Sequence, residues 1–169
     1  GEPQYSNFGY CTLGRVLEAK TGRAYLDFIR ATVAAPCGVT SWDLSLRGRE
    51  HARTNEVWYD LRGGREDFDV GLMDAHGGLI STAEDLCRFM AKFWLTGDPR
   101  LPGARGSAVF YGSLPGTTAV AVQRPDGLDY AALLNKRGIR EEWHTLLHQR
   151  LDAALDAATH PPAAATSAK

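Results

Sequence analysis

From Phe8 to Lys20 apolar residues recur at Phe8, Leu13, Val16 and Leu17 with helical spacing, and Gly22 supplies a stop, which predicts a short first helix. A second stripe at Tyr25, Phe28, Ile29 and Val33 runs into Pro36-Cys37-Gly38, where proline removes a backbone donor and glycine permits a turn, so the two helices should form a hairpin. Between about Val39 and Ala75 the periodicity fades amid many charges and Gly63-Gly64. Trp42, Leu44, Trp58, Tyr59 and Leu61 in that stretch either line a cleft or cap the core beneath a loop. Ser81-Thr82-Ala83-Glu84 reads as a capping box, with Ser81 as N-cap and Glu84 reaching back. The helix it opens carries Leu86, Phe89, Met90, Phe93 and Trp94 on one face and stops at Thr96-Gly97-Asp98-Pro99.

Beyond a Gly- and Pro-rich connection, Ala108 to Tyr111 reads as a strand and Thr117 to Gln123 as another. Pro125-Asp126-Gly127 turns the chain, and Leu128 to Asn135 returns as the partner of an antiparallel hairpin. From Ile139 onward Trp143, Leu146, Leu147, Leu151 and Leu155 mark an amphipathic helix able to cover one face of the sheet. The fold class is therefore α+β: an antiparallel sheet with a covering C-terminal helix, plus a helical subdomain. One domain is expected over residues 1–159, helical to about 100, with the sheet and last helix from about 107; residues 160–169 read as a disordered tail.

The 169 residues are 44% hydrophobic and 23% charged, enough apolar material for one core. A net charge of -1, from 19 basic and 20 acidic residues, gives no cationic footprint for nucleic acid and points to a small-molecule ligand. No run approaches the roughly 18 apolar residues of a membrane span. Nothing at the N-terminus reads as a signal peptide, and a start at Gly1-Glu2-Pro3 leaves the compartment open. Cys11, Cys37 and Cys87 are odd in number and widely spaced, which reads as packing and not as a disulfide or zinc framework. His144 and His148 have i, i+4 spacing, but Thr145 stands where a zinc-protease helix has glutamate, so they read as two surface histidines. His76 precedes Gly77-Gly78, either facing a cleft or serving the turn. No glycine pattern follows a strand as a nucleotide loop does, so no metal and no cofactor is implied.

Tyr5-Ser6-Asn7, followed by Leu13-Gly14 and Thr21-Gly22, resembles the Tyr-x-Asn region of the serine β-lactamase-related esterases and D-alanyl-D-alanine carboxypeptidases. Pro36-Cys37-Gly38-Val39, Gly77 to Thr82 with Asp85-Leu86, and Gly112-Ser113-Leu114-Pro115-Gly116 with the hairpin ending at Asn135 match in the same order. The resemblance implies a β-lactamase/transpeptidase-like fold whose N-terminal part is missing here. It also implies an acyl-enzyme reaction, in which the serine of Ser-x-x-Lys attacks a carbonyl while its lysine and the motif tyrosine share the protons. Tyr5 would be that tyrosine, a phenol useful as a base only beside an ammonium, and Asn7 would orient substrate or the lysine. Alternatively both residues merely start a helix.

The third motif of that family, Lys-Thr-Gly or His-x-Gly, falls on Phe110-Tyr111-Gly112. Gly112 keeps backbone access open and the Ser113 amide can donate to an oxyanion, a contact worth about 2.7 to 4 kcal/mol. Phe110 has no charge for a substrate carboxylate, which argues against penicillin-like recognition and for a neutral ester or amide. Tyr111 and His76 complete the expected substrate-binding set. No Ser, Thr or Cys has a lysine three residues later in a helical setting, so the expected nucleophile lies in a segment absent from this chain. The apolar edge Tyr130 to Leu134 would then pair with that missing N-terminal segment, or with a second copy in a strand-exchanged homo-oligomer. The rival reading is a non-catalytic relative that binds a ligand or partner, favoured by Phe110 and by the absent Ser-x-x-Lys.

Overall fold

The first helix, α1, spans Asn7–Thr21. Ser6 caps it in an extended conformation, its Oγ accepting from the Gly9 N–H at 3.1 Å. Gly22 closes it at φ 67°, a left-handed value that a residue without Cβ adopts at little cost, and donates to the Glu18 carbonyl. The computed structural model describes residues 2, 4–45, 53–54, 56–57, 59, 70–136 and 142–159. Trp58, Leu61, Gly63, Gly64, the residues from Ile139 to 141 and the tail from His160 lie outside that set.

The second helix, α2, is regular only over Tyr25–Ile29. The chain continues through a π turn at Arg30–Ala34 and a 3-10 turn at Ala35–Cys37 before Gly38 reverses it at φ 69°. Pro36 explains the change: it donates no hydrogen bond and its ring crowds the preceding turn, so the regular ladder cannot reach it. Ala34, Cys37, Val39 and Trp42 are buried here with Ile29, Val33, Leu79, Phe89 and Phe93 against them. Trp42 lies 5.8 Å from the Phe89 ring centroid, so it packs the core and does not line a cleft. All three cysteines are free thiols, and burial pushes Cys37 and Cys87 above the ordinary thiol range.

Two short strands, β1 (Asp43–Leu44) and β2 (Leu79–Ile80), pair antiparallel across the irregular region. The third helix, α3, spans Ala83–Met90, one residue out of step with the capping-box expectation. Thr82 is the cap, its Oγ1 accepting from the Asp85 N–H at 3.1 Å. Ser81 is instead engaged by Trp42, whose Nε1–H donates to its Oγ at 2.8 Å, and Glu84 pairs with Arg88. The helix also ends before Phe93. The Gln123 amide, fully buried, donates to the carbonyls of Met90 (3.0 Å) and Phe93 (2.9 Å) and accepts from the Leu95 N–H (2.8 Å). A strand side chain thus takes over the orphan groups that follow the last helical turn.

Strands β3 (Ala108–Leu114), β4 (Thr117–Gln123) and β5 (Asp129–Leu134) form an antiparallel sheet in that order. The last helix, α4, spans Trp143–Thr159 and packs on β4. Side chains alternate across a strand. Thr118, Val120 and Val122 therefore share the α4 face with Tyr111 and Tyr130, while Ala121 and Gln123 look toward α3, which packs on β5. Arg100 closes the lower edge, nearly buried in an ion pair with Asp129 and set over the Trp94 ring at 4.6 Å.

Candidate active site

The segment entering α1 carries the first group of candidate residues. Because Ser6 is the cap, Asn7 is the first helical residue and its side chain is spared the capping role. Its Oδ1 accepts from the Tyr5 hydroxyl at 2.8 Å, and the Tyr5 ring lies 5.6 Å from that of Tyr10. Tyr5 is 67% exposed. Farther along the same helix Gly14 presses on Ala75, where an added Cβ would come within 2.5 Å of the alanine methyl. That contact seats α1 on the 3-10 turn Asp74–His76. Asp74, in left-handed backbone at φ 46°, is paired with Arg15 of α1. His76 at the end of the turn is half-buried, and its Nδ1 has no hydrogen-bond partner among the described residues.

The second group lies on β3. Pro115 and Gly116 form a two-residue turn, with Gly116 at φ 81°, between Leu114 and Thr117. A two-residue hairpin closes on a hydrogen-bonded pair, and antiparallel pairs alternate. Leu114, Gly112, Phe110 and Ala108 therefore bond to β4, whereas Ser113, Tyr111 and Val109 turn their N–H and C=O groups outward. β3 is the sheet edge, so the Ser113 amide faces away from every described strand. A Cβ at Gly112 would meet only the Ala119 methyl, at an ordinary 3.6 Å, so packing among the described residues does not demand glycine there. Phe110 is 54% exposed and, by alternation, projects from the face opposite Tyr111.

Tyr111 reaches a cluster that sequence spacing did not foretell. Its hydroxyl lies 2.8 Å from His148 Nδ1, and His148 Nε2 is 3.1 Å from Asp152 Oδ2. His144 Nε2 lies 3.2 Å from the Gly112 carbonyl. These two histidines are thus not free surface residues; both bind the edge strand. Asp152 also accepts from the Tyr130 hydroxyl at 2.9 Å and from Arg124 at 3.0 Å. Burial raises the Asp152 carboxyl, but the bonds from Tyr130 and Arg124 and the nearby His148 outweigh it and hold it below the ordinary range. Burial and Asp152 push the Tyr130 phenol up. The available signal was a third polar residue, Asp152, following the histidines at the next i+4 step.

The site thus comes in two parts. Tyr5 and Asn7 belong together, with His76 on the turn beneath the same helix; Phe110, Tyr111, Gly112 and Ser113 share β3. No hydrogen bond or ring contact among the described residues joins the two parts. No cluster of three or more His, Cys, Asp or Glu side chains among the described residues is arranged to hold a metal, and no described helix is long and apolar enough to cross a membrane.

Helical segments beside an antiparallel sheet with a glycine-bearing edge strand define the class, a mixed α+β fold. The beta-lactamase family model matches residues 1–147, and the chain belongs to that family. No curated protein matches it. Among solved structures it is similar to the D-amino acid amidase from Ochrobactrum anthropi SV3, seen complexed with D-phenylalanine: TM-score 0.65, 18% identity, 94% of this chain and 59% of that one. It also resembles the D-stereospecific amidohydrolase from Streptomyces sp. (TM-score 0.55, 19% identity, 78% and 50% covered) and SurE (0.59, 21%, 90% and 45%). The chain spans between about half and three fifths of these neighbours' lengths.

Proposed function

We propose that this chain forms part of a serine hydrolase that cleaves neutral esters or amides through an acyl-enzyme, with Ser-x-x-Lys supplied from outside residues 1–169. The observation that carries the reading is the Ser113 amide, directed outward from an open edge beside a glycine that packing does not require. In this mechanism the Ser113 N–H donates to the oxyanion as the serine adds to the carbonyl, and Gly112 lets the acyl group approach the backbone. Tyr5, fixed by Asn7, relays the serine proton to the leaving group with help from the lysine. Phe110 and His76 shape the substrate pocket, and Phe110 favours an apolar substituent over a carboxylate. The likeness to D-amino acid amidase and D-stereospecific amidohydrolase supports amides, D-configured ones first.

The test is co-expression of this chain with a Ser-x-x-Lys-bearing family segment, followed by assays on p-nitrophenyl esters and D- and L-amino acid amides. Turnover with a serine-bound acyl adduct by mass spectrometry is the expected result, with kcat reduced at least about 10²-fold by Tyr5→Phe. Absence of turnover, or an unchanged rate in Tyr5→Phe, would sink the reading and favour a non-catalytic ligand-binding relative. That alternative draws on Phe110, which removes the charge its family carries at this position. We further propose that the supplied segment pairs along β5, the other open edge. Light scattering on the chain alone should then show strand-exchanged oligomers; a well-folded monomer argues against the pairing.

A further inference from the structure

Resting on the acyl-enzyme reading above, we infer that His148 and His144 are positioning residues: from α4 they clasp Tyr111 and Gly112, and so fix where the Ser113 amide points. Edge strands are held on one side only. At Tyr111 and Ser113 the outward groups of β3 have no ladder partner among the described residues, so beyond its pairing with β4 the strand is held only from the sheet face. The grip falls on the two residues immediately before the proposed oxyanion donor. Tyr111 is taken by its side chain, Gly112 by its carbonyl.

Hydrogen bookkeeping constrains each bond. The Asp152 carboxylate only accepts, so His148 carries a proton on Nε2; Nδ1 then accepts from the Tyr111 hydroxyl in the neutral ring and donates to the same oxygen in the imidazolium, so the clasp holds in either form. A carbonyl likewise only accepts, so His144 presents Nε2–H to Gly112. Asp152 is itself tied to Tyr130 on β5 and to Arg124 at the β4–β5 turn, and Arg124 further binds Asp126 and Asp156. The chain Tyr111–His148–Asp152–Tyr130 therefore braces one edge of the sheet to the other across β4. Oxyanion donors act through sub-ångström placement, and a second layer that locks the donor strand serves that need.

The experiment uses the complete enzyme, this chain together with its Ser-x-x-Lys segment. His148→Ala should lower kcat about tenfold, less than the 10²-fold or more attached to removing an oxyanion donor outright, with KM nearly unchanged. Tyr111→Phe should lower kcat similarly and add nothing further in the His148→Ala background, since both act through one bond. In 15N-labelled protein His148→Ala should shift the Ser113 amide resonance and speed Gly112 amide exchange on the order of tenfold, leaving Ala132 of β5 unaffected. A lower Tm with kcat, the Ser113 resonance and Gly112 exchange all at wild-type values overturns the inference and leaves the histidines as fold stabilisers. If the unmutated enzyme shows no turnover, the acyl-enzyme reading falls, and the resonance and exchange measurements alone decide whether the clasp exists.

Discussion

The two halves of the candidate site are held in opposite ways. On the sheet side, β3 is flanked by a hydrogen-bonded strand, a helix face and a polar chain that crosses to β5, and its backbone is specified several times over. On the α1 side, the Tyr5 side chain has one hydrogen bond among the described residues, to a residue two positions away, and stands mostly in solvent. A backbone donor must be rigid before substrate arrives, because a strand cannot reorient cheaply once loaded. The proton shuttling proposed for the Tyr5 phenol would need partners that only a completed site provides. Contacts are thus concentrated on the strand proposed to supply geometry and sparse at the phenol proposed to supply chemistry.

That contrast can be broken experimentally, beginning on the sheet side. Gln123→Ala strands the Phe93 carbonyl and the Leu95 amide, while the Met90 carbonyl keeps its bond from Arg100, and should cost about 3 kcal/mol in urea unfolding, since each buried orphan costs about 1 to 3 kcal/mol. Gly14→Val drives a side chain into Ala75 and should cost about 2 kcal/mol, the usual scale of overpacking. Tyr111→Phe removes a single half-exposed hydrogen bond and should cost about 1 kcal/mol. Acid tests the brace at its carboxylate. The folded Asp152 carboxyl lies below its unfolded value, so its contribution is fully present above the unfolded carboxylate range and disappears as pH falls through the folded value. Asp152→Asn should flatten that acid limb by less than about 1 kcal/mol, because the group is a third exposed and screened. Tyr5→Phe closes the series: its Tm should stay within the equivalent of about 0.5 kcal/mol of wild type, while turnover of the complete enzyme collapses. A large stability loss there would erase the contrast.

Much of the scaffold was legible in the sequence because local signals and tertiary packing agree. Thr117 to Gln123 is rich in Val and Thr, and the strand runs over that whole stretch. Gly22 and Gly38 mark chain reversals that only their left-handed conformations allow. Where tertiary partners compete for a side chain, the local signal misleads. Ser81 has the sequence position of a cap, yet Trp42 claims its hydroxyl and Thr82 takes over. The α3 stripe continues through Phe93 and Trp94, but a glutamine 33 residues beyond Met90 ends the helix early. Gly112 and Ser113 carry turn chemistry, so the strand predicted over Ala108 to Tyr111 stops short of its end at Leu114. His144 and His148 look like surface residues until the strand they grip is in place. The Tyr5–Asn7 pair and the Gly112–Ser113 edge were found through family resemblance, since nothing in their spacing alone separates a donor site from a helix start and a hairpin.

The Asp74 turn gives the site one more variable. A non-glycine residue in left-handed backbone stores about 1 to 3 kcal/mol of strain, and here an ion pair to Arg15, itself half in solvent, opposes its release. Surface ion pairs weaken as salt shortens the screening length. The backbone turn that carries His76 should therefore loosen as ionic strength rises.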